Sequence, residues 1–371
     1  MTRLLYLVSH PIQYQAPLLR LIADQPDIQL RVAFERDPQQ SGTFDPGFGR
    51  DVIWDVPLRD GYDNGIIGDM DMDAQLNWAD AVWMHGWQSP LFRRLLRRAG
   101  RGRLPVLMRG ENCNLAMPDP PGLRGMAKRA YLRQIFRHCR AFLAIGSANR
   151  DYYLDHGIGI EQIFPMPYAI DNGFFAHRAA QADTVELRRR LGMPGQGKVI
   201  LYAGKFSSRK NPHILLQAWR QASWPDGLRP DLVFVGDGEL ANQLRAMAGP
   251  GVYFAGFRNQ SELPAFYALA DIFVLASHAE PWGLAVNEAM ACGTAVVVSD
   301  QCGCARDLVD DDCGAVVAAG DVAALATALV RVCRQSSSLG QAAARRLAEW
   351  DFRADVAGLR QALDYSVGAR G

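Results

Sequence analysis

Two glutamates eight positions apart are the residues of this chain whose types and spacing best suit chemistry. Glu280 and Glu288 lie in the stretch His-Ala-Glu-Pro-Trp-Gly-Leu-Ala-Val-Asn-Glu-Ala-Met-Ala-Cys-Gly, residues 278–293. The nearly continuous apolar run before this stretch is typical of a strand that is covered on both faces of a parallel sheet. Within the stretch itself, the sequence predicts a helix whose first backbone N–H groups, at Gly283 and Leu284, suit a phosphate. Carboxylates on either side of that phosphate could hold a sugar and a ribose.

This stretch resembles the Glu-x7-Glu signature of the retaining family 4 glycosyltransferases, which have the GT-B fold. That fold has two doubly wound, Rossmann-like α/β domains facing across a cleft. The resemblance extends over the C-terminal half of the chain and, more loosely, the N-terminal half. It implies a retaining, hexosyltransferase-type enzyme that moves a sugar from a nucleotide-sugar, with a UDP-sugar as the favoured donor, to an acceptor hydroxyl. For the motif alone, a strand–turn–helix with solvated glutamates is the alternative.

The resemblance implies a donor site built from several loops. Glu280 would contact the donor sugar near its reacting face, and Glu288 would accept from the ribose hydroxyls. Lys205, which replaces the family's usual Arg, and Lys210 would hold the diphosphate and stabilise its developing charge without a metal. The other donor-binding residues that the resemblance implies are Gly283, Leu284, Trp282, Gly256, Phe257 and Gly303.

The same assignment bears on the mechanism. Two carboxylates that flank a glycosidic bond would suggest double displacement. Because Glu288 is assigned to the ribose, only one carboxylate is left near the anomeric carbon. A front-face reaction, in which the leaving phosphate helps to deprotonate the acceptor, is therefore favoured.

Polar residues at the ends of predicted strands in the first half are candidates for acceptor binding. His10, Gln13 and Tyr14 follow the first strand, where the family has a loop that helps to seat the acceptor. Glu111, after the predicted strand over 105–109, is the fourth acceptor-binding candidate. His85 falls where the family has a His near the transferring sugar, so the resemblance implies a catalytic role for it beside Glu280, Lys205 and Lys210. The alternatives are that His10 caps a helix and that His85 is structural.

Apolar runs alternate with helical patterns along the whole chain, which predicts βαβ units and two parallel sheets. The predicted strands are residues 4–8, 28–34, 81–85, 105–109, 141–146, 199–203, 232–236, 252–255, 272–277 and 295–299. The predicted organisation is an acceptor-binding domain over 1–172, a linker over 173–197, a donor-binding domain over 198–348, and a final helix over 349–371. In the family, that helix crosses back to the N-terminal domain.

Composition narrows the function further. A formal net charge of +1 argues against nucleic-acid binding. The seven Cys lack a disulfide or zinc spacing, and the N-terminal apolar run is too short for a signal peptide. Asp69, Asp71 and Asp73 are interpreted as a helix start rather than a metal site, so no metal and no cofactor are expected. The expected location is the cytoplasm, with peripheral attachment to the inner membrane face left open.

Residues 90–142 carry 13 Lys or Arg against two acidic residues, with apolar residues at helical spacing. Such a segment can bind an anionic membrane surface, or it can be a solvated helix face packed on a sheet. The acceptor is open among sugars, lipid-linked molecules and small molecules, so a role in glycan or glycolipid synthesis stays a hypothesis. The alternative functions are a nucleotide-sugar epimerase or hydrolase on the same fold, and a non-catalytic nucleotide-sugar-binding subunit.

Overall fold

The structure is a computed structural model that describes residues 1–37, 43–45, 47–101, 104–225, 227 and 229–368. The chain divides into two compact units. Unit 1 comprises Met1–Ser41, Pro57–Ala169 and Asp351–Gly371, and unit 2 comprises Gly42–Val56 and Ile170–Trp350.

In chain order, the strands are β1 (Thr2–Val8), β2 (Ile28–Phe34), β3 (Thr43–Asp45), β4 (Arg50–Val52), β5 (Asp63–Ile66), β6 (Ala81–His85), β7 (Val106–Arg109), β8 (Ala141–Ala144), β9 (Ile163–Pro165), β10 (Val199–Ala203), β11 (Asp231–Val235), β12 (Val252–Gly256), β13 (Ile272–Leu275), β14 (Ala295–Ser299) and β15 (Gly314–Val317). The α-helices are α1 (Ala16–Ala23), α2 (Met72–Trp78), α3 (Pro90–Arg101), α4 (Leu123–Phe136), α5 (Ser147–Asp155), α6 (Asn172–Ala180), α7 (Thr184–Leu191), α8 (Pro212–Gln221), α9 (Ala241–Met247), α10 (Leu263–Leu269), α11 (Leu284–Ala291), α12 (Ala305–Leu308), α13 (Val322–Arg334), α14 (Ser336–Leu347) and α15 (Phe352–Val367).

Unit 1 is built on a parallel sheet with strand order β5-β2-β1-β6-β7-β8-β9. Successive residues of a strand point to opposite faces, and in β1 both faces are apolar and buried. Leu4 and Tyr6 pack with α1 and α15, whereas Leu5 and Leu7 pack with α3, α4 and α5. The sheet is therefore covered on both sides, as the continuous apolar runs predict.

Unit 2 is built on a second parallel sheet, with strand order β12-β11-β10-β13-β14-β15. One face carries α8, α9 and α13, whose buried residues include Leu216, Trp219 and Leu329. The other face is contacted by α10, α11 and α14. Loops that end these strands share one edge of the sheet, where ligands of doubly wound folds bind.

Unit 2 also contains a two-stranded antiparallel hairpin of β3 and β4. The turn is stabilised by Asp45, whose carboxylate accepts from the backbone N–H groups of Gly47 at 2.8 Å and Phe48 at 3.3 Å. Gly49 has a φ of 64°, a conformation that glycine adopts without a Cβ penalty. The sequence gives no prediction of this hairpin, because each of its strands is only three residues long.

The predicted fold class of two doubly wound α/β domains is confirmed, and all ten predicted strands are present. The prediction lacks β5, β9 and β15 as well as the hairpin. β5, β9 and β15 are short strands of three or four residues at sheet edges, and β9 ends in a Pro.

In the described part of the chain, no helix is long and apolar enough to cross a membrane. Cys302, Cys304 and Cys313 are buried and free.

Candidate functional site

Glu280 lies in the loop after β13, at the carboxyl edge of the unit 2 sheet. Its backbone is held by the loop that follows β14: the Glu280 N–H donates to the Gln301 carbonyl at 3.0 Å, and the Gly303 N–H donates to the Glu280 carbonyl at 2.9 Å. The residue is 7% exposed. The two loops therefore fix the Glu280 backbone before any ligand binds.

The two predicted glycines allow this close approach. A methyl group at Gly303 would overlap the Pro281 carbonyl oxygen. Gly283 has a φ of 107° and is the residue from which α11 begins. The N–H groups at the start of this helix, beginning with Leu284, are the type of donor that binds phosphate.

Lys210 contacts Glu280. The Lys210 ammonium and the Glu280 Oε2 form an ion pair, and Arg209 Nη1 lies 3.7 Å from the same oxygen. Lys210 precedes Asn211, which adopts the left-handed conformation with φ 57° and leads into α8. Asn is one of the few residues that tolerate this conformation, which explains why it can stand where Gly is common in the family that the sequence resembles.

Glu288 lies on α11, and its carboxylate has a hydroxyl partner. Tyr267 donates its phenolic hydrogen to Glu288 Oε2 at 2.7 Å. Burial raises the pKa of Glu288 to about 7, and the hydrogen bond from Tyr267 only partly opposes this shift. The charge of Glu288 is thus sensitive to pH near neutrality.

Trp282, predicted to bind the donor, is packed inside unit 2. Its ring stacks on Trp350 at a centroid distance of 5.4 Å, and its indole N–H donates to Asn287 Oδ1 at 2.9 Å. The side chain is only 2% exposed, so it has little surface for a ligand. Trp282 can instead support donor binding by holding the loop before α11 in place.

Lys205 follows β10 and pairs with the hairpin. Its ammonium lies 2.8 and 2.9 Å from the two carboxylate oxygens of Asp45. Phe257, which follows Gly256 and is also a predicted donor-binding residue, contacts Phe48 edge-to-face at 5.0 Å and lies under the Arg50 guanidinium. The structure thus brings Glu280, Lys210 and Gly303 together and places Lys205 with Asp45.

In unit 1, the predicted acceptor residues Tyr14 and Glu111 and the predicted catalytic residue His85 form part of a polar cluster, which we call the tyrosine–histidine cluster. The Glu111 carboxylate accepts from the hydroxyl groups of Tyr14 at 3.1 Å and Tyr168 at 2.5 Å. The two tyrosine rings pack edge-to-face at 5.5 Å. His85 Nε2 lies 3.5 Å from the Tyr168 hydroxyl.

The hydrogen bonds around His85 assign its tautomer. Tyr6 donates its hydroxyl hydrogen to Gln15 Oε1 at 2.7 Å, and the Gln15 amide Nε2 lies 3.2 Å from His85 Nδ1. The Tyr6 hydroxyl also lies 3.1 Å from Nδ1. With the Gln15 amide assigned so that its oxygen accepts from Tyr6, its nitrogen donates to Nδ1, which assigns the ring hydrogen to Nε2. Burial lowers the pKa of His85 to about 3, with further lowering by the positive charges of Arg109 and His10. His85 is therefore a neutral hydrogen-bonding group.

The remaining two predicted residues lie outside these contacts. His10 Nδ1 is 2.8 Å from the Ser9 hydroxyl, and burial lowers the pKa of His10. Gln13 is partly buried, between His10 and Tyr14 in the chain.

Four residues of unit 1 escaped the sequence prediction: Tyr6, Gln15, Arg109 and Tyr168. Arg109 is buried and donates to Asp355 Oδ1 at 2.9 Å and to the carbonyls of Met166 and Pro167 at 3.0 Å. Its guanidinium lies 5.0 Å from the Tyr168 ring centroid. Tyr6 carries a hydroxyl inside an apolar strand, which is a signal for a buried partner. Tyr168 follows β9, which was not predicted.

Asp71 is the N-cap of α2 and accepts from the backbone N–H groups of Asp73 and Ala74. Asp73 pairs with Arg98. Among the described residues, no group of three or more His, Cys, Asp or Glu side chains is placed to hold a metal ion.

Residues 183–346 match the family model of "Glycosyl transferases group 1". A D-inositol 3-phosphate glycosyltransferase of Xylanimonas cellulosilytica is 28% identical over 301 residues, which are 74% of this chain and 69% of that protein. The enzyme of the same name from Acidothermus cellulolyticus is 31% identical over 190 residues, 48% of this chain. The match spans 42% of the Acidothermus protein's length.

Two solved structures share the fold over nearly the whole chain. Sucrose-phosphate synthase from Thermosynechococcus elongatus is 18% identical, with a TM-score of 0.70 and complete coverage of both chains. Anabaena Alr3699/HepE in complex with UDP and glucose is 17% identical, with a TM-score of 0.70, and covers 98% of this chain and 100% of its own. At these identities the likeness shows the GT-B fold.

Proposed function

We propose that this chain is a retaining, hexosyltransferase-type glycosyltransferase that moves a sugar from a nucleotide-sugar to an acceptor hydroxyl. The observation that carries the proposal is the Lys210–Glu280 ion pair at the carboxyl edge of the unit 2 sheet, inside the segment that matches the glycosyltransferase family model. A cation and a carboxylate held at one point suit a ligand that has phosphate groups and sugar hydroxyls.

The donor diphosphate would contact the N–H groups at the start of α11 and the Lys210 ammonium. As the glycosidic bond breaks, negative charge grows on the diphosphate, and Lys210 stabilises it at a fixed position. Glu280 would then accept from a hydroxyl of the sugar, and Glu288 from the ribose. Lys205 is the second cation of this site, although Asp45 is its partner in the structure.

A UDP-sugar is our proposed donor, and lysines rather than a metal are proposed to neutralise the diphosphate. The complex of Anabaena Alr3699/HepE with UDP, a protein of the same fold, supports the choice of nucleotide. With Glu288 at the ribose, the leaving phosphate oxygen is the base available to the acceptor hydroxyl. This arrangement favours front-face transfer with retention of configuration.

We propose that the tyrosine–histidine cluster binds the acceptor. Glu111, with two phenol groups on it, can accept from an acceptor hydroxyl, and neutral His85 can donate through Nε2 to a sugar oxygen. Hydroxyl-rich acceptors such as sugars, lipid-linked sugars or small polyols fit this chemistry. The names of the relatives, which include D-inositol 3-phosphate glycosyltransferase and mannosylfructose-phosphate synthase, support a small polyhydroxylated acceptor.

A second proposal concerns where the enzyme works: unit 1 binds an anionic membrane surface through α4. Leu123, Met126 and Tyr131 lie along this helix and are 82%, 67% and 44% exposed. Leu123 and Met126 are three positions apart and lie on the same face of the helix, and the chain around them is rich in Arg. Exposed apolar residues among cations are typical of helices that lie in a lipid interface.

The test of the donor proposal is calorimetric binding of UDP, GDP, ADP and TDP, with and without magnesium. We expect one diphosphate to bind without metal, and Lys210→Ala to weaken that binding at least about tenfold, as expected for loss of a charged contact. Arg190→Ala, on exposed helix α7, is the matched control. Failure of all four nucleotides to bind would reject the proposal in favour of a protein that does not use nucleotide-sugars.

Turnover assays separate the remaining alternatives. A nucleotide-sugar epimerase or hydrolase would convert the donor without an acceptor, and a non-catalytic binding subunit would bind it without conversion. The proposed glycosyltransferase needs both substrates for product formation.

A further inference from the structure

The β3–β4 hairpin covers the part of unit 2 that the donor's nucleotide would use. Asp45 pairs with Lys205 after β10, and Phe48 contacts Phe257 after β12. Between them, the turn lies against the loop after β11: a Cβ at Gly238 would be 2.8 Å from the Gly47 carbonyl oxygen. Since β10, β11 and β12 are neighbours in the sheet, the hairpin lies over one continuous edge.

The hairpin is also tied to the start of α10. Asn259 donates its side-chain amide to the Ile53 carbonyl at 2.7 Å, and the Asp55 carboxylate accepts from Ser261. These contacts are exposed and polar, and exposed contacts of this kind are individually weak. Phe44 and Ile53 remain largely exposed, so the hairpin buries little apolar surface of its own. Apart from the Asp45–Lys205 pair and the Phe48–Phe257 contact, the hairpin is therefore held by weak, exposed contacts.

Asp45 contacts Lys205 in the way that a phosphate would. Both carboxylate oxygens lie within 2.9 Å of the ammonium, and the Phe48 ring is 5.0 Å away on the same hairpin. A diphosphate on Lys205 would bring further negative charge next to Asp45, and like charges at such a distance repel. The Lys205 ammonium can thus pair closely with either the Asp45 carboxylate or the donor diphosphate, but not with both.

We infer that Asp45 and the donor diphosphate compete for Lys205, so that Asp45 sets the affinity of the site for nucleoside diphosphates. In this view, binding of the nucleotide releases the hairpin from Lys205 and Phe257. The inference rests on the proposed function, because that function assigns Lys205 to the diphosphate. It adds a residue, 160 positions before Lys205 in the chain, that the resemblance does not assign.

The protonation of Asp45 is consistent with this competition. Burial acts to raise the pKa of Asp45, but the hydrogen bond and charge of Lys205, with the N–H groups of Gly47 and Phe48, outweigh it and lower the pKa. Asp45 is accordingly an anion at neutral pH. An Asn in its place keeps the shape and removes the charge.

The test compares Asp45→Asn with Asp51→Asn, which removes the same charge from exposed β4. Calorimetry would use whichever of UDP, GDP, ADP and TDP binds the unaltered chain. We expect Asp45→Asn to lower the Kd about five- to tenfold, because a larger fraction of molecules has a free Lys205. Asp51→Asn should leave the Kd within about twofold. In the unaltered chain, the same nucleotide should speed hydrogen exchange of the amides in residues 47–56.

Each outcome decides the inference. An unchanged or higher Kd in Asp45→Asn, while Lys210→Ala still weakens binding, overturns the competition and leaves the proposed function standing. If no nucleotide binds the unaltered chain or Asp45→Asn, both are overturned. Should Asp45→Asn melt well below the unaltered chain, the hydrogen-exchange result alone decides: slower or unchanged exchange of residues 47–56 with nucleotide contradicts release of the hairpin.

Discussion

Glu280 and Glu288 are close in the chain, yet their carboxylates have different partners. Glu280 pairs with the Lys210 ammonium and lies near Arg209, so it sits in a cationic environment. Glu288 has the Tyr267 hydroxyl as a hydrogen-bond donor, and its burial raises its pKa to about 7. The first arrangement places a carboxylate next to two cations, and the second suits a group whose charge appears as the pH rises.

Replacement of Glu280 by Gln should lower kcat by about 100-fold or more, as for loss of one fixed charge in an active site. Gln keeps the shape of the side chain but leaves Lys210 without its anionic partner and weakens the contact with the sugar hydroxyl. Steady-state kinetics with a UDP-sugar and an acceptor measure the effect. Glu186→Gln on exposed α7 is the control and should retain full activity. An unchanged kcat/KM in Glu280→Gln would place the donor sugar elsewhere.

Nucleotide binding should strengthen as the pH rises through about 7. The carboxylate of Glu288 accepts from ribose hydroxyls better than the protonated acid does. Between pH 6 and 8 we expect about a tenfold fall in Kd, set by the carboxylate fraction. The sign for folding is opposite: because the native pKa is raised, this group's contribution to the free energy of unfolding falls as pH rises towards 7.

The matched variant for this pH profile is Glu288→Gln, and the ligand for both proteins is a UDP-sugar, because its terminal phosphate has no proton to lose between pH 6 and 8, unlike that of UDP. In this variant the Kd should be nearly independent of pH. Asp355 also has a pKa raised to about 7 by burial, and it is retained in this variant. A pH dependence that persists in Glu288→Gln would therefore belong to another group and contradict the assignment of Glu288 to the ribose.

Helix α15 is the element that connects the end of the chain to the unit 1 sheet. Val356 and Leu359 are buried with residues of β1, and a methyl group at Gly358 would overlap the Pro165 carbonyl oxygen of β9. The same helix carries Asp355, which is fully buried and pairs with Arg109. Arg109 in turn lies against Tyr168, so the helix supports the tyrosine–histidine cluster through one ion pair.

Removal of this pair should destabilise unit 1 strongly. Asp355→Ala leaves the buried Arg109 guanidinium without its counter-ion, and loss of one partner of a buried pair costs about 3–5 kcal/mol. Urea unfolding followed by circular dichroism at pH 8 measures the free energy of unfolding. Asp27→Asn is the control: Asp27 precedes β2 and forms an exposed pair with Arg360 of α15, so its loss should cost less than about 1 kcal/mol. Equal losses of unfolding free energy in the two variants would mean that burial does not determine how much the Arg109–Asp355 pair stabilises the protein.

The elements that apolar patterning determines could be predicted, and those that depend on distant partners could not. Buried strands such as β10 and β13 are continuous apolar runs, and the loops after them carry Lys210 and Glu280, which the sequence predicts as site residues. Tyr168 and Asp45 gave no signal, since each acquires its role from a partner remote in sequence, Glu111 and Lys205 respectively. Pairing at such separations follows from sheet topology and turn geometry, which local sequence does not specify.

The distribution of charge over the chain bears on where the protein works. A net charge of +1 hides an uneven pattern, because residues 90–142 are strongly basic. Within this segment, α3 has Arg93, Arg94 and Arg97 along a surface groove. Cations of this kind attract an anionic surface over about a Debye length, and exposed apolar side chains then determine whether a helix inserts.

Binding to lipid vesicles should depend both on the cations of the basic segment and on the exposed apolar side chains of α4. We expect the protein to sediment with vesicles that contain phosphatidylglycerol, less with pure phosphatidylcholine, and less again at high salt. Exchange of Leu123 and Met126 for Ser should weaken binding to anionic vesicles about tenfold, because two apolar side chains no longer enter the interface. The matched control exchanges Ile160 and Val185, which are also largely exposed but lie outside the basic segment. If both pairs of substitutions have the same effect, or the unaltered chain ignores anionic vesicles, α4 is a solvated helix and the acceptor need not be lipid-linked.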